Sequence, residues 1–508
     1  MRADDQVANF DPSRYDPAKA PRLYLPAIVN GARVAFDPVT GQSQNAVFIG
    51  AYVPGTGDPN NGMVSAGQGV PRGFRATLAP QIEPRLGATY DLSGSGTTIV
   101  HASAGVFHNA RLGGGNLGNL SGNPPFIHNP VVFYGTIGTL LAGGAVPLIN
   151  PPTVEAITPQ YKTPLAYNWS IGLRRDIGWG TVVDTTYVGN LGRYLEMYYD
   201  LNAVPAEARY LDIHPENHDP TGSATALLPP QFLRPYRGYQ NIRTRGNSGT
   251  AEYHSLQIQA NRRYIRGVQF GASYTLQRAR GLADEDPGNL SISLDRPLDF
   301  YYDVLAHSQT HNLSINYTWD IPGHRGAGLG LLLDGWQLSG SNSFVSGEWA
   351  AVSFTTPDNF DFTGGEGGMG GCLAGNEPCA RNVRPVLVGD PMAGGGDPLT
   401  GWFNTAAFAR PSGRGDFGNA PRNAVQRPGT RNWNLAIFKN FKAGASRAFQ
   451  FRAEIYNVLN TVQFMDIDRA AVFDAAGKQT KPTFGTAFGI NSPTAPPRII
   501  QLSARFTF

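Results

Sequence analysis

Runs of about ten residues that alternate apolar and polar side chains, connections that switch between short and long, and a polar side-chain set of amides and hydroxyls predict an all-β fold, an antiparallel up-and-down transmembrane β-barrel with long loops at one end. A period of two marks a strand with two unlike faces. Strands of soluble proteins usually hold about five or six residues, whereas about ten are needed to cross a bilayer at a tilt. A β-sandwich would solvate its outer face with Lys and Glu and has no reason to alternate its loop lengths. Gln, Asn, Ser and Thr with scattered Arg suit a water-filled or plugged lumen.

Taken in order, the candidate strands lie near 82–92, 96–109, 165–176, 181–197, 251–263, 267–279, 307–320, 334–347, 431–442, 447–461 and 497–508. The clearest alternations fall in the second half. Leu256, Ile258 and Ala260 oppose Ser255, Gln257, Gln259 and Asn261. Val268, Phe270, Ala272, Tyr274 and Leu276 oppose Gln269, Gly271, Ser273, Thr275 and Gln277. "NLSINYTWDI" and "FQFRAEIYNVLN" repeat the pattern, with Leu313, Ile315, Tyr317 and Trp319, then Phe449, Phe451, Ala453 and Ile455, on one parity. The connections near 93–95, 177–180, 264–266 and 443–446 are tight and 321–333 is intermediate. Those at 110–164, 198–250, 280–306, 348–430 and 462–496 are long. Tight turns belong on the periplasmic side and long loops outside.

The last strand, "RIIQLSARFTF", sets Ile500, Leu502, Ala504, Phe506 and Phe508 against Gln501, Ser503, Arg505 and Thr507. A C-terminal strand with apolar residues at alternate positions and a terminal Phe resembles the assembly signal of bacterial outer-membrane proteins, which makes Ile500, Leu502, Phe506 and Phe508 its candidate residues and the barrel-assembly machinery a partner. Tyr198, Tyr199, Tyr301, Tyr302, Trp319, Trp336 and Trp433 fall near predicted strand ends, where interfacial girdles place rings that are apolar at one side and wet at the other.

Composition agrees. Charged residues make up 16% of the 508, below the roughly 25% of a typical soluble domain, and 62 Gly with 39 Pro favour turns and loops. Mean hydropathy is −0.25, so the polarity is largely uncharged. A net charge of +3 spread along the chain is no footprint for a nucleic-acid partner. No run approaches the roughly 18 apolar residues of a transmembrane helix, and "MRADDQVANFDPSRYDP" has no apolar segment of a signal peptide.

Several stretches resemble the barrel part of TonB-dependent outer-membrane receptors, specifically the Oar-like group common in acidobacterial genomes. They are "VANFDPSRYDPAKAPRLYLP", "GTGDPNNGM", "YNWSIGLRRDIGWGTVVDTTYVGNLGRYL", "YHSLQIQANRRYIRGVQFGASYTLQRA", "DGWQLSGSNSFVSG", "WFNTAAFARP", "GNAPRNAVQRPG", "FRAEIYNVLNTVQF" and "PPRIIQLSARFTF". The resemblance implies a protein of the cell outer membrane of a Gram-negative-type bacterium that takes up a bulky or scarce ligand. It also implies a signal peptide, often a carboxypeptidase-regulatory-like sandwich, a plug that meets TonB, and about 22 barrel strands. None of the first three is visible within 1–508, and about eleven strands is an odd number where single-chain barrels usually have an even one. The expectation is therefore a C-terminal half of such a barrel, with 1–80 an extracellular loop region and 81–508 barrel strands and loops. Its partners would be outer-membrane lipid and the missing N-terminal half and plug, with TonB reached only through that plug. A passive porin-like channel and a secreted all-β binding protein are the alternatives.

Other constellations are weak. Cys372 and Cys379, in a Gly-rich loop expected to face outside, are candidates for a disulfide, with two free thiols or a metal site as the other readings. His101 with His108, and His307 with His311, have a helix-face or short spacing but lie on strands, which disfavours a metal pair. Asp284, Glu285, Asp286 and Asp295 form an acidic loop patch whose default is solvation, with calcium binding as the other reading. No arrangement of nucleophile, base or paired carboxylates stands out, so neither an enzyme nor a cofactor is expected.

Overall fold

The computed structural model describes residues 7–68, 70, 74, 80–109, 119–127, 150–158, 162–282, 291–292, 298–323, 330–365, 383–442, 447–490 and 496–508. Eleven long strands form one sheet: β1 (Arg85–Asp91), β2 (Thr98–His108), β3 (Leu165–Gly178), β4 (Thr181–Asp200), β5 (Ile242–Ile265), β6 (Val268–Gly281), β7 (His311–Asp320), β8 (Trp336–Val345), β9 (Thr430–Lys442), β10 (Ala448–Tyr456) and β11 (Ile499–Thr507). Each pairs antiparallel with its neighbour in sequence, so the sheet runs from β1 to β11 without a crossover. Every predicted strand is present.

Two of the turns follow from local backbone chemistry. Gly178 pairs with Thr181 and Ile265 with Val268, which leaves two-residue loops at Trp179-Gly180 and Arg266-Gly267. All four residues have positive φ, between 51° and 77°. That is the type I′ geometry whose twist matches antiparallel strands, with Gly taking the second position. Between β1 and β2 the Asp91 carboxylate accepts from the Ser93 backbone N–H at 3.0 Å and the Gly96 N–H at 2.6 Å, fixing the third turn.

The register sorts the side chains into two faces, because directly opposed residues point the same way. Tyr187 opposes Ile171 on one side and Leu256 on the other; Leu256 opposes Leu276, Tyr274 opposes Leu313, and Leu313 opposes Phe344. The same face continues through Leu435, Ile455 and Ile500 to the last strand. Its rings and aliphatic groups are exposed: Ile171 at 56%, Leu502 at 64% and Phe506 at 54%. The opposite face carries Gln257 against Thr275, Gln259 against Ser273, Ser273 against Ser314 and Arg452 against Ser503. No register slip mixes the two over the central strands.

Boundaries differ from expectation where the ribbon leaves the sheet's main body. β4 and β5 reach 20 and 24 residues, and their ends were expected to be loop. A bulge around Tyr194, which has φ of 55°, re-aims the ribbon, and Met197 and Ile242 beyond it are buried. β10 stops at Tyr456 because Asn457 turns with φ of 49°.

The buried core lies among the long connections. One cluster gathers Phe354, Phe362, Phe403, Phe408, Phe473 and Phe484. Others centre on Phe10 with Tyr239 and Ile242, on Tyr24 with Ala35, and on Met197 with Tyr301. Short strands knit these segments together, including Ala8–Phe10 on Met63–Ser65 and Leu25–Val29 on Ala32–Phe36. The connections on the long-loop side thus build a packed cap.

Candidate functional site

Two surfaces are placed to meet a ligand: the polar face of the sheet and the cap above it. On the polar face a hollow of about 460 Å³ is lined by Gln269, Asn316, Thr318, Ser341, Asn434 and Glu454, among others. Neighbouring groups satisfy each other across strands. Thr318 and Ser339 hydroxyls are 3.0 Å apart, Ser103 and Ser170 are 2.8 Å apart, and the Tyr253 hydroxyl donates to Gln277 Oε1 at 2.8 Å. Two charged pairs form on this face. Arg452 donates to Glu454, and His101 lies 3.3 Å from Asp184, leaning over Gly172, where a Cβ would come within 2.4 Å of the ring. Such a wall exchanges hydrogen bonds with a hydroxyl- or amide-bearing surface and presents little net charge.

The cap is held by buried amides that bracket distant backbone. Asn9 Nδ2 donates to the Ile157 carbonyl at 3.0 Å, and the Ile157 N–H donates back to Asn9 Oδ1 at 2.8 Å. Asn123 does the same for Glu155 and also donates to the Ala8 carbonyl. Asn202 is fully buried; its Nδ2 donates to the carbonyls of Tyr236, Tyr239 and Gln240, and its Oδ1 accepts from the Tyr236 N–H. Asn457 and Gln463 bracket Thr461 and Arg431. An amide side chain offers donor and acceptor at once and so replaces a rung of sheet ladder where no strand can reach.

Ion pairs add cross-links between segments. Arg22 meets the buried Asp37 at 2.9 Å, Arg33 meets Asp219 at 2.7 Å, and Arg410 meets Asp358 at 2.7 Å. The Arg22 hydrogen bond holds the Asp37 carboxyl below its usual value against the opposing effect of burial. Burial pushes the Tyr210 hydroxyl up to about 12, and it pushes Tyr52 and Tyr239 up as well.

The sequence-predicted residues fall in several places. Cys372 and Cys379 lie outside the described residues, as does the acidic patch at Asp284, Glu285, Asp286 and Asp295. Ile500, Leu502 and Phe506 share the exposed apolar face of β11, and Phe508 follows it with its ring 5.8 Å from that of Phe506. The histidines do not pair with one another: His101 faces Asp184, His108 faces Glu83 at 3.7 Å, and His311 accepts from or donates to the Tyr274 hydroxyl at 2.8 Å. Among the described residues no group of three or more His, Cys, Asp or Glu converges on a metal position.

The expected aromatic girdle needs correction. Trp319 and Trp433 are half-exposed on the apolar face, in keeping with it. Tyr301 is buried at 1% in the cap, with Tyr199 and Tyr302 packed against its cluster, because β4 and its neighbours continue past the sheet body. Tyr198 lies under Arg245, 4.3 Å from its ring, and Trp336 under Lys439 at 4.9 Å. The amide brackets were missed. Their one signal is that Asn9, Asn457 and Gln463 fall inside the stretches that carry the family resemblance; Asn123 and Asn202 fall outside them.

An outer membrane beta barrel domain matches residues 1–501. The chain belongs to that family. It is therefore a protein of the outer membrane, and the eleven-strand sheet is its barrel sheet. No curated protein matches it. Among solved structures, it is similar to the outer membrane transporter YddB from Escherichia coli, with 11% identity and a TM-score of 0.38, over 84% of this chain and 41% of that one. It is also similar to BauA, the ferric preacinetobactin receptor from Acinetobacter baumannii, with 10% identity and a TM-score of 0.35, over 88% and 38%. A variant of the ferric enterobactin receptor from Pseudomonas aeruginosa gives 12% identity and a TM-score of 0.36, over 84% and 40%. The chain spans about two fifths of the length of these three.

Proposed function

We propose that this outer membrane barrel chain is the barrel part of a TonB-dependent receptor of the Oar-like type, which takes up a bulky or scarce ligand and needs further strands and a plug from outside these residues. The observation that carries the reading is the open edge at each side of a two-faced sheet. Among the described residues β1 and β11 each pair on one side only. With an odd number of antiparallel strands the two edges run in the same direction, so joining them directly would force a parallel seam into an otherwise antiparallel barrel. A bilayer tolerates no free edge, since each unpaired N–H and C=O in hydrocarbon costs several kcal/mol. An odd number of additional strands closes the sheet with antiparallel pairing throughout.

In this reading the apolar face meets lipid and the amide and hydroxyl face meets the plug and the ligand. The cap, cross-linked by buried amides, is where ligand first arrives. Cys372 and Cys379 should form a disulfide, and non-reducing mass spectrometry of exported protein should show the bridge; two alkylatable thiols without reductant would remove that part. Ile500, Leu502, Phe506 and Phe508 are read by the barrel-assembly machinery.

Expression of residues 1–508 behind a signal peptide tests the reading. It should give no heat-modifiable, protease-resistant species in outer membranes. A stable, conducting barrel from this chain alone would favour the passive porin-like alternative.

A further inference from the structure

The apolar face is not uniformly apolar. At its long-loop end three nitrogen-bearing side chains sit side by side. His254 on β5 lies directly opposite Arg278 on β6, and His311 on β7 lies directly opposite Leu276, one diagonal step from Arg278. Directly opposed residues have Cβ atoms about 5 Å apart and diagonal ones about 7–8 Å.

The two imidazoles are held in the same way. The Tyr187 hydroxyl is 2.7 Å from His254 Nδ1 with the rings stacked at 6.1 Å, and the Tyr274 hydroxyl is 2.8 Å from His311 Nδ1 with the rings again stacked at 6.1 Å. Trp169 reaches His254 across Gly189 and makes a T-shaped contact with it, centroids 6.1 Å apart. With the tyrosine hydroxyl assigned as donor, each neutral ring carries its proton on Nε2. Each then turns an N–H away from its tyrosine, and the exposed Arg278 is on β6, the strand between the two that carry them. Arg278 has no ion-pair partner among the described residues. Glu252 on the same face lies directly opposite Arg280 and one diagonal step from Arg278, and it is 3.9 Å from Arg280.

The position along the strand is informative. From Val268 at the tight turn to Arg278 the chain rises about 33 Å at about 3.3 Å per residue. At a tilt of about 40° that is roughly 25 Å along the barrel axis, the height of one apolar band. The cluster therefore falls at the band's far boundary. Leu256, Ile258, Leu276, Leu313 and Ile315 run beneath it as a continuous apolar surface.

We propose that His254, Arg278 and His311 bind the phosphorylated headgroup of a membrane lipid whose acyl chains lie along that surface. The guanidinium supplies the charge and a forked pair of donors, and the two oriented Nε2–H groups supply donors of fixed direction. A free anion has no use for the apolar ladder below, and a neutral lipid has none for the guanidinium. The site depends on the apolar face meeting lipid and not on what the barrel transports.

The test is a titration of the 508-residue chain in dodecyl maltoside micelles, read by native mass spectrometry. Phosphatidic acid is the probe, and phosphatidylcholine of the same acyl chains is the comparison. The wild-type chain should prefer phosphatidic acid by at least tenfold. Arg278→Gln combined with His254→Gln and His311→Gln should lose the preference, Arg278→Lys should retain part of it, and Arg175→Gln, on the same face at the tight-turn end, should keep it. Millimolar orthophosphate should not displace the lipid. Far-UV circular dichroism of each variant separates lost binding from lost folding. Equal binding of the two lipids, an undiminished preference in a folded triple variant, or displacement by orthophosphate would overturn the proposal. Insertion and conductance are read separately, so failure of the transport reading leaves this outcome distinguishable.

Discussion

Asn202 closes the long connection between β4 and β5 on itself through one side chain, and its removal strips the Tyr236 N–H and three carbonyls of a buried partner. Asn202→Ala should cost about 1–3 kcal/mol for the orphaned N–H alone, because a buried group left unpaired pays its full desolvation. Near-UV circular dichroism of the cap tyrosines on heating would register it, and an unchanged transition would show that the bracket is dispensable. Asp37 makes a second prediction. Its folded pKa is depressed, chiefly by the Arg22 hydrogen bond, so its contribution is fully present above the unfolded value of about 4 and is lost as pH falls through the lower folded value. Cap stability should be flat above about pH 5 and fall below about pH 4. In Asp37→Asn this acid sensitivity should shrink, as measured by the same thermal transition across pH.

Among the elements, the hairpin turns hold the register that keeps the two faces apart. Gly267 has φ of 77°, and a Cβ there would meet Asp320 Cβ at 3.1 Å and its carbonyl oxygen at 3.2 Å. Gly267→Val should therefore destabilise the β5–β6 hairpin by about 2 kcal/mol. Urea unfolding in micelles would measure it, and wild-type stability would mean the turn relaxes freely. The strands themselves were legible in sequence because alternation and turn residues are local signals, and Leu256 to Ala260 or Phe270 to Leu276 declare their face within a few residues. The cap was not. Ala8–Phe10 is three residues long, and its place depends on Asn9 meeting Ile157 across 148 positions of sequence. Tyr301 reads as an interfacial ring by its position after a strand, yet it is buried because Met197 and Leu282 close over it. Burial of that kind is set by tertiary packing and leaves no period in the chain.

For the molecule as a whole, the account depends on which face of the eleven-strand sheet meets lipid. The alternation continues across every strand pair, so substitutions should report parity and not position. Ile258→Arg should cost about 2–4 kcal/mol at mid-bilayer depth, while Gln257→Arg should be nearly neutral in the same refolding assay. The most direct measurement is a nitroxide scan along β6, from Val268 to Ala279, on the chain in detergent micelles with Cys372 and Cys379 replaced by Ser. Collision with dissolved oxygen reports the apolar phase, and collision with a water-soluble nickel chelate reports water. The account predicts a period of two, with oxygen contact highest at Phe270, Ala272, Tyr274 and Leu276 and nickel contact highest at Gln269, Gly271, Ser273 and Thr275. A scan with no period, or with the two sets exchanged, would contradict it.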